Sequence, residues 1–444
     1  MIKYWVLNLF FVGVILTNLC ATVCFGDAIS VYKENQRSVV VVFAVNKKGG
    51  EISQGSGFIT KSDGVVVTNL HVINKATQIK VKVGDKMFPV ENIIYADKKN
   101  DLVALKIKAK DLPSVSINYV QNVTVGEKIY VISSPRGLEN TISEGLVSGM
   151  RGERLGLKLL QITAPISPGS SGSPVFNEKG EVIGVATFIL EDSQNLNFAI
   201  PIDVLKDKAE AVTPTKKLTH YVDDYTKSAE HWVQIGVAHL ESSMSSEALN
   251  ACNRAAEIDP TYSYAFICKA EAFVLKGEYQ NALQECNKAI LLNPRSAEAY
   301  GVRGVVYGIK DQYREAITDL LKAVEMNPLK PWFYSLLGGN YLSLEQYQQA
   351  IKSFSKAIEL GEKSFQNFSM RGMAYFKLNN IYNAMEDVNT AIEINPRDGF
   401  AYAFRGAIYN SKGNSQKAVS DFKTAATLGN IQAQQWLRQN RIPW

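Results

Sequence analysis

At 444 residues the chain has room for two or three domains. Its 48 Lys and Arg against 43 Asp and Glu leave a net charge of +5, and no long basic run occurs. Nucleic acid is therefore not implied as a partner.

The N-terminus carries Lys3 and then an apolar stretch from Tyr4 to Phe25, interrupted by Asn8 and Asn18. A positive start, an apolar core and a small residue near Cys24-Phe25-Gly26 predict a secretory signal over residues 1–26, cut after Gly26. An uncleaved anchor is the alternative, because the stretch is nearly long enough to span a bilayer. Cys20 and Cys24 do not sit in a lipoprotein cleavage box. Either way the chain is expected to be exported, to a periplasm or outside the cell, with membrane association only if the segment is retained.

Short β-branched runs follow at Val39–Val45, Val65–Thr68, Ile79–Val83, Leu102–Ile107, Lys128–Ile132, Leu159–Thr163 and Val182–Phe188. Gly, Asn, Asp and Pro separate them, the spacing of an all-β barrel or sandwich. Within that region lie three strings: TNLHVI around His71, NDLVAL around Asp101 and PGSSGSP around Ser171. Each alone is ordinary loop or turn composition. Together they supply a nucleophile, a base and a carboxylate. A serine hydroxyl is weak at its own pKa, so His71 would take its proton and return it to the leaving amine. Asp101 would hold the imidazole tautomer and stabilise the imidazolium. Gly169 permits a tight turn that aims the N–H groups of Gly169 and Ser171 at a developing oxyanion; losing one such donor typically costs on the order of 100- to 1000-fold in turnover. The order His, Asp, Ser is the one found on chymotrypsin-type double barrels.

Residues from about Arg37 to Asp203 resemble the protease domain of the HtrA/DegP group of trypsin-like serine peptidases. The likeness rests on GSGFIT at Gly55–Thr60, TNLHVI at Thr68–Ile73, DKKNDLVALKI at Asp97–Ile107, SSPRGLENTISEGLVSG at Ser133–Gly149, QITAPISPGSSGSPVFNEKGEVIGV at Gln161–Val185 and NFAIPI at Asn197–Ile202. It implies a double β-barrel, a His71-Asp101-Ser171 triad and an oxyanion hole at Gly169 and Ser171. The family's usual Gly-Asn-Ser-Gly-Gly reads Gly169-Ser170-Ser171-Gly172-Ser173 here, so Ser173 stands where a glycine is usual. No acid lies among Pro165 to Ser170, which predicts cleavage after small or medium apolar residues. By resemblance, Val185, Ala186 and Thr187 are the expected pocket walls. Such residues are exposed mainly in unfolded proteins. Relatives often form trimers, and an oligomer is left open.

Residues 206–226 read as a charged, Pro-containing linker. Beyond it, alanines recur every 34 residues at Ala248, Ala282, Ala316, Ala350, Ala384 and Ala418, and again from Ala255 to Ala425. A small-residue column at Gly236, Ala270, Gly304, Gly338, Gly372 and Gly406 accompanies them, and Pro260, Pro294, Pro328 and Pro396 close four units. The period identifies a repeat array. It resembles six tetratricopeptide repeats over 227–430, with a capping helix over 431–444. The usual register places Val233, Val237, Tyr264, Ile267, Val274, Val305, Trp332, Leu342, Met373, Phe376, Phe400 and Ala403 along the groove, an apolar surface suited to extended peptides or a partner helix. Cys252 and Cys286 share a repeat position, which favours buried core thiols over a disulfide. No metal-ligand spacing is present.

The expected architecture is an all-β, chymotrypsin-like double barrel over 27–205 followed by an all-α solenoid. The expected function is an exported serine endopeptidase cleaving unfolded or partner proteins through an acyl-enzyme, with no metal or cofactor. A chaperone or scaffold of weak or absent activity is the competing expectation, kept open by Ser173. A processing enzyme with one or two cleavage sites in a single partner is a third.

Overall fold

The computed structural model describes residues 27–119, 123–134, 140–152, 157–167, 169–187, 197–206 and 225–444. The expected signal over 1–26 and nearly all of the expected linker lie outside them. Two compact units divide the chain between Ser242 and Ser243.

In the first unit, β1 (Val39–Val45), β2 (Glu51–Lys61), β3 (Val65–Asn69), β4 (Gln78–Val83), β5 (Lys86–Asp97) and β6 (Leu102–Ile107) close a barrel in the order β1-β2-β3-β6-β5-β4. Alternate residues Val40, Val42 and Ala44 of β1 meet Ile59, Val66, Val81 and Leu105 inside it, each 1% exposed or less. A second ring follows. It contains β8 (Lys128–Ser133), β9 (Thr141–Arg151), β10 (Leu159–Ile162), β11 (Pro174–Asn177), β12 (Glu181–Thr187) and β13 (Asn197–Pro201), with β11 pairing both β8 and β12 to close it. The short β7 (Ser116–Ile117) adds to β12 in parallel. The expected double barrel is present. Closure satisfies strand edges that an open sheet would leave unpaired.

The seven runs read as strands all pair. The structure adds β2, β5, β9, β11 and β13, whose sequences carry Gly, Ser, Pro or charge. β2 bears Gly55 and Gly57 yet is paired on both sides, by β1 and β3. Barrel closure outweighs its poor intrinsic β preference.

The second unit is helical. Helices Ser245–Ile258, Ser263–Leu275, Tyr279–Leu292, Ala297–Ile309, Tyr313–Met326, Pro331–Ser343, Tyr347–Glu359, Phe365–Lys377, Ile381–Ile394, Gly399–Ser411 and Ser415–Thr427 follow one another, and Ile431–Gln439 ends the run. Both alanine columns are fully buried, as their spacing predicts. A Cβ built on Gly338 would lie 2.7 Å from the Phe354 ring, so small residues there let paired helices close up. Arg303, Arg371 and Arg405 each grip, two-pronged, the aspartate sixteen positions on: Asp319, Asp387 and Asp421.

Two expectations need correcting. Cys252 and Cys268 form a disulfide, their Cα atoms 5.8 Å apart, while Cys286 is free and buried. Comparing equivalent repeat positions hid this, because the partner sits on the next helix, facing Cys252 across the seam. Val233, Val237 and Ile267 are 1% exposed or less, so they are core and do not line a groove. Val233 and Val237 belong to helix Ala229–Glu241, which falls in the first unit and packs there. The remaining groove candidates are half-buried, and Val274, Trp332, Leu342, Met373, Phe376 and Ala403 pack into clusters between helices.

Candidate active site

β3 ends at Asn69, and a single 3-10 turn, His71–Ile73, follows it. The turn packs Val72 and Ile73 inward, which leaves His71 at the rim with 24% of its side chain exposed. The β5–β6 turn supplies Asp101, in left-handed backbone at φ 52°, a conformation that Asp tolerates better than most residues. That twist brings both its polar ends to one place. Its carbonyl accepts from Leu70 N at 3.1 Å and Asn69 Nδ2 at 3.0 Å. Its carboxylate accepts from the His71 backbone N at 2.9 Å and faces His71 Nδ1 at 2.5 Å. Asp101 is 2% exposed.

Burial opposes charge on the imidazole and is the largest single influence on it. The attraction of Asp101 and its hydrogen bond together outweigh burial and hold the His71 pKa above its usual range. The same contact fixes the tautomer, because Nδ1–H donates to the carboxylate and Nε2 is left as the base.

Ser171 sits between β10 and β11, in a turn with Gly169 at φ 96° and Gly172 at φ 86°. Gly172 has no room for a side chain. A Cβ there would lie 2.1 Å from Ser56 O and 2.3 Å from Thr68 Oγ1, so the Ser171 turn is pressed against β2 and β3 of the first barrel. Ser56 N donates to Ser171 O at 2.9 Å, and Ser56 Oγ donates to Gly169 O at 2.8 Å while accepting from Ser134 N at 3.0 Å. Ser170 N donates to Ser167 O and Ser173 N to Ser170 O. Among the described residues the N–H groups of Gly169 and Ser171 donate to no protein acceptor. Those are the donors expected to bind an oxyanion.

The structure thus brings His71 and Asp101 into direct contact and places the Ser171 turn against the strand that leads to His71. No hydrogen bond joins Ser171 Oγ to the imidazole among the described residues, as is common where no substrate is bound. Ser173 takes ordinary backbone, absent from the left-handed residues, so it does not distort the turn. Its hydroxyl is buried with no partner among the described residues.

Val185, Ala186 and Thr187 lie on β12 beside the turn. Gly172 N donates to Ala186 O at 2.9 Å and Ala186 N to Ser173 O at 2.8 Å. Ala186 points into the second barrel's core. Thr187 does something its sequence context did not indicate: its hydroxyl lies 3.5 Å from Asp101 Oδ2, a contact that steadies the carboxylate. Ser56, Gly172 and Thr187 are the site residues that sequence reasoning missed in these roles. GSGFIT was noticed as a motif, but nothing in it says that its serine holds the nucleophile turn.

Residues 55–185 match the family model for the trypsin-like peptidase domain. Residues 297–328, 333–363 and 366–398 match the tetratricopeptide repeat. A putative serine protease, HhoB, from Synechocystis sp. is 38% identical over 177 residues, 38% of this chain and 42% of that protein. A probable periplasmic serine endoprotease, DegP-like, from Hahella chejuensis is 40% identical over 162 residues, 35% of this chain and 34% of the relative. A serine endoprotease from Yersinia pestis, known as a crystal structure, is 31% identical, with a TM-score of 0.36 over 39% of this chain and 62% of that one. The chain spans less than half the length of these curated relatives. It joins a trypsin-like peptidase domain with HtrA/DegP homologues to C-terminal tetratricopeptide repeats.

Proposed function

We propose that the first unit is a serine endopeptidase. Ser171 Oγ bonds to the scissile carbonyl carbon while its proton passes to His71 Nε2. The N–H groups of Gly169 and Ser171 hold the oxyanion. Collapse expels the amine, which leaves with the proton from His71 and an acyl-Ser171 ester behind it, and water attacks that ester by the same route in reverse. The observation that carries this reading is the His71–Asp101 pair, its carboxylate buried and its imidazole at the rim, set beside a turn whose Gly169 and Ser171 N–H groups have no protein acceptor among the described residues.

The absence of an acid among Pro165 to Ser170 supports cleavage after small or medium apolar residues, with Val185, Ala186 and Thr187 proposed as pocket walls by resemblance. Residues 188–196 lie outside the described part. The peptidase is proposed to span 27–205, and the repeats, expected over 227–430, are proposed to start at Ser243 because helix Ala229–Glu241 packs in the first unit, with the array holding substrate or partner proteins. Export to the periplasm is supported by the names of the DegP-like relatives and by a disulfide, which persists in oxidising compartments. Among the described residues no helix is long and apolar enough to cross a membrane.

The test is to mix the protein, and its Ser171→Ala variant, with an unfolded substrate protein and map the cut bonds by mass spectrometry. Many cuts after apolar residues, made only by the unsubstituted chain, are expected. No cuts from either would turn the reading to a scaffold, and one or two sites in a single partner to a processing enzyme.

A further inference from the structure

Tyr225 lies twenty residues beyond the last contact of the second barrel's final strand with its flanking turn, yet it is 3% exposed and packs in the first barrel's core cluster with Leu70, Val72 and Ile73. Its backbone N donates to Asn74 Oδ1 at 2.9 Å. Asn74 closes the His71–Ile73 turn, donating its own N–H to His71 O at 3.2 Å. The Tyr225 hydroxyl donates to Gln234 Oε1 at 3.0 Å, and Gln234 Nε2 donates to Lys99 O at 2.8 Å. Lys99 stands two positions before Asp101, in a turn whose other side is tied by Asn100 to Asp97.

We propose that Tyr225 and Gln234 are positioning residues for the catalytic pair, a hydrogen-bonded brace that joins the segment carrying His71 to the turn carrying Asp101. The proposal rests on the peptidase reading above.

The geometry argues for a built connection. Gln234 is 3% exposed, and a buried amide is costly unless both its ends are paired, as they are here. Helix Ala229–Glu241, which carries Gln234, is fixed at three further places in the same unit. Ser228 caps it through His231 N at 3.2 Å. The His231 ring meets Tyr225 edge-on at 5.3 Å. At its far end Glu241 accepts from Gly152 N at 3.0 Å and pairs with Arg151. The brace therefore cannot follow either loop independently. A shift of the helix moves the Asp101 turn relative to His71, and misalignment of a reacting group by about 1 Å can cost about 100-fold in rate.

The test uses the full chain. Tyr225→Phe breaks the bond to Gln234 while keeping the packed ring. Gln234→Met keeps the volume and removes both amide contacts without adding charge. His71 is followed through its imidazole proton resonances, assigned by their loss in His71→Gln. Asp101 is the titratable group that faces the imidazole; Thr187 on β12 and Ser171 bring no charge at neutral pH. If the brace aligns the pair, loosening it weakens the hold of Asp101 and leaves burial less opposed. The His71 midpoint then moves to lower pH in both variants, and the acid limb of kcat/KM moves with it. kcat falls by about tenfold with KM unchanged.

An unchanged His71 midpoint in both variants would overturn the brace, whatever happens to thermal stability; so would a rise, because lost packing alone relieves burial of the imidazole and moves the midpoint up. Failure of the peptidase reading shows separately, as no cleavage by either protein or as cleavage that survives Ser171→Ala. The midpoint measurement decides the brace even then.

Discussion

At the scale of single residues, the His71–Asp101 contact makes a pH dependence that can be signed. Asp101 raises the imidazole pKa above 6.5, so His71 stays protonated to a higher pH than an isolated histidine. A protonated imidazole cannot accept the Ser171 proton. Activity is therefore expected to be low in mild acid and to rise with pH through a midpoint above 6.5, which a kcat/KM profile on an apolar peptide reads directly. A midpoint below that value, or a flat profile from about pH 5 to 8, would mean that His71 is not the base. The three strings of the sequence were enough to single out His71 and Asp101, which the structure brings into contact, and Ser171, the proposed nucleophile, because each role demands a particular side chain. They were silent on what holds those side chains. Ser56, Thr187, Tyr225 and Gln234 form hydrogen bonds to groups up to 151 residues away, and short-range pattern carries no trace of such contacts. Ser173 shows the converse. A glycine replaced by serine reads as a threat to the turn, yet the position needs no left-handed backbone, and the substitution costs only an unpaired hydroxyl.

At the scale of elements, the helical hairpins share a turn whose chemistry is uneven. Residues 243, 277, 311, 345, 379 and 413, one every 34 positions, all take left-handed backbone. Gly277 and Gly413 do so freely, whereas Ser243, Asp311, Glu345 and Asn379 hold φ of 57–58° against the clash of their own Cβ. Glu345 is exposed, so replacing it disturbs little else. Relief of the clash, less the extra freedom glycine gains in the unfolded chain, leaves Glu345→Gly about 0.5–1 kcal/mol more stable. In a unit of this size the melting point should rise by roughly 1–4 °C. Asn379→Gly is the control, expected to shift less because asparagine tolerates that conformation. No rise from Glu345→Gly, or an equal rise from both, would remove backbone clash as the explanation. The repeat period was plain from small-residue columns, since close helix approach admits almost nothing else. The turn column was not, because five different residue types occupy it. β2 and β9 escaped notice for a related reason: closure of a barrel recruits glycine-bearing segments that have no strand pattern of their own.

At the scale of the whole molecule, the division at Ser242/Ser243 separates an all-β core from a helical one, each with its own buried clusters. The covalent link between helices lies wholly in the second unit. Cys252 and Cys268 join helices Ser245–Ile258 and Ser263–Leu275 near that unit's start, across a separation of 16 residues. Closing a loop of that length removes unfolded-chain entropy worth about 3 kcal/mol. The first unit contains no counterpart among its described residues. Calorimetry of the intact chain should thus show two transitions, and a reductant should move only the helical one, down by roughly 6–12 °C. Cys252→Ala/Cys268→Ala should reproduce the shift and abolish the effect of reductant, while the barrel transition and Ser171-dependent cleavage of a short peptide stay as they were. A single transition that moves as a whole under reductant would show the two cores to be one cooperative unit. In that case a protein bound to the repeats would stabilise the catalytic unit directly; with two transitions, such binding would leave the stability of that unit unchanged.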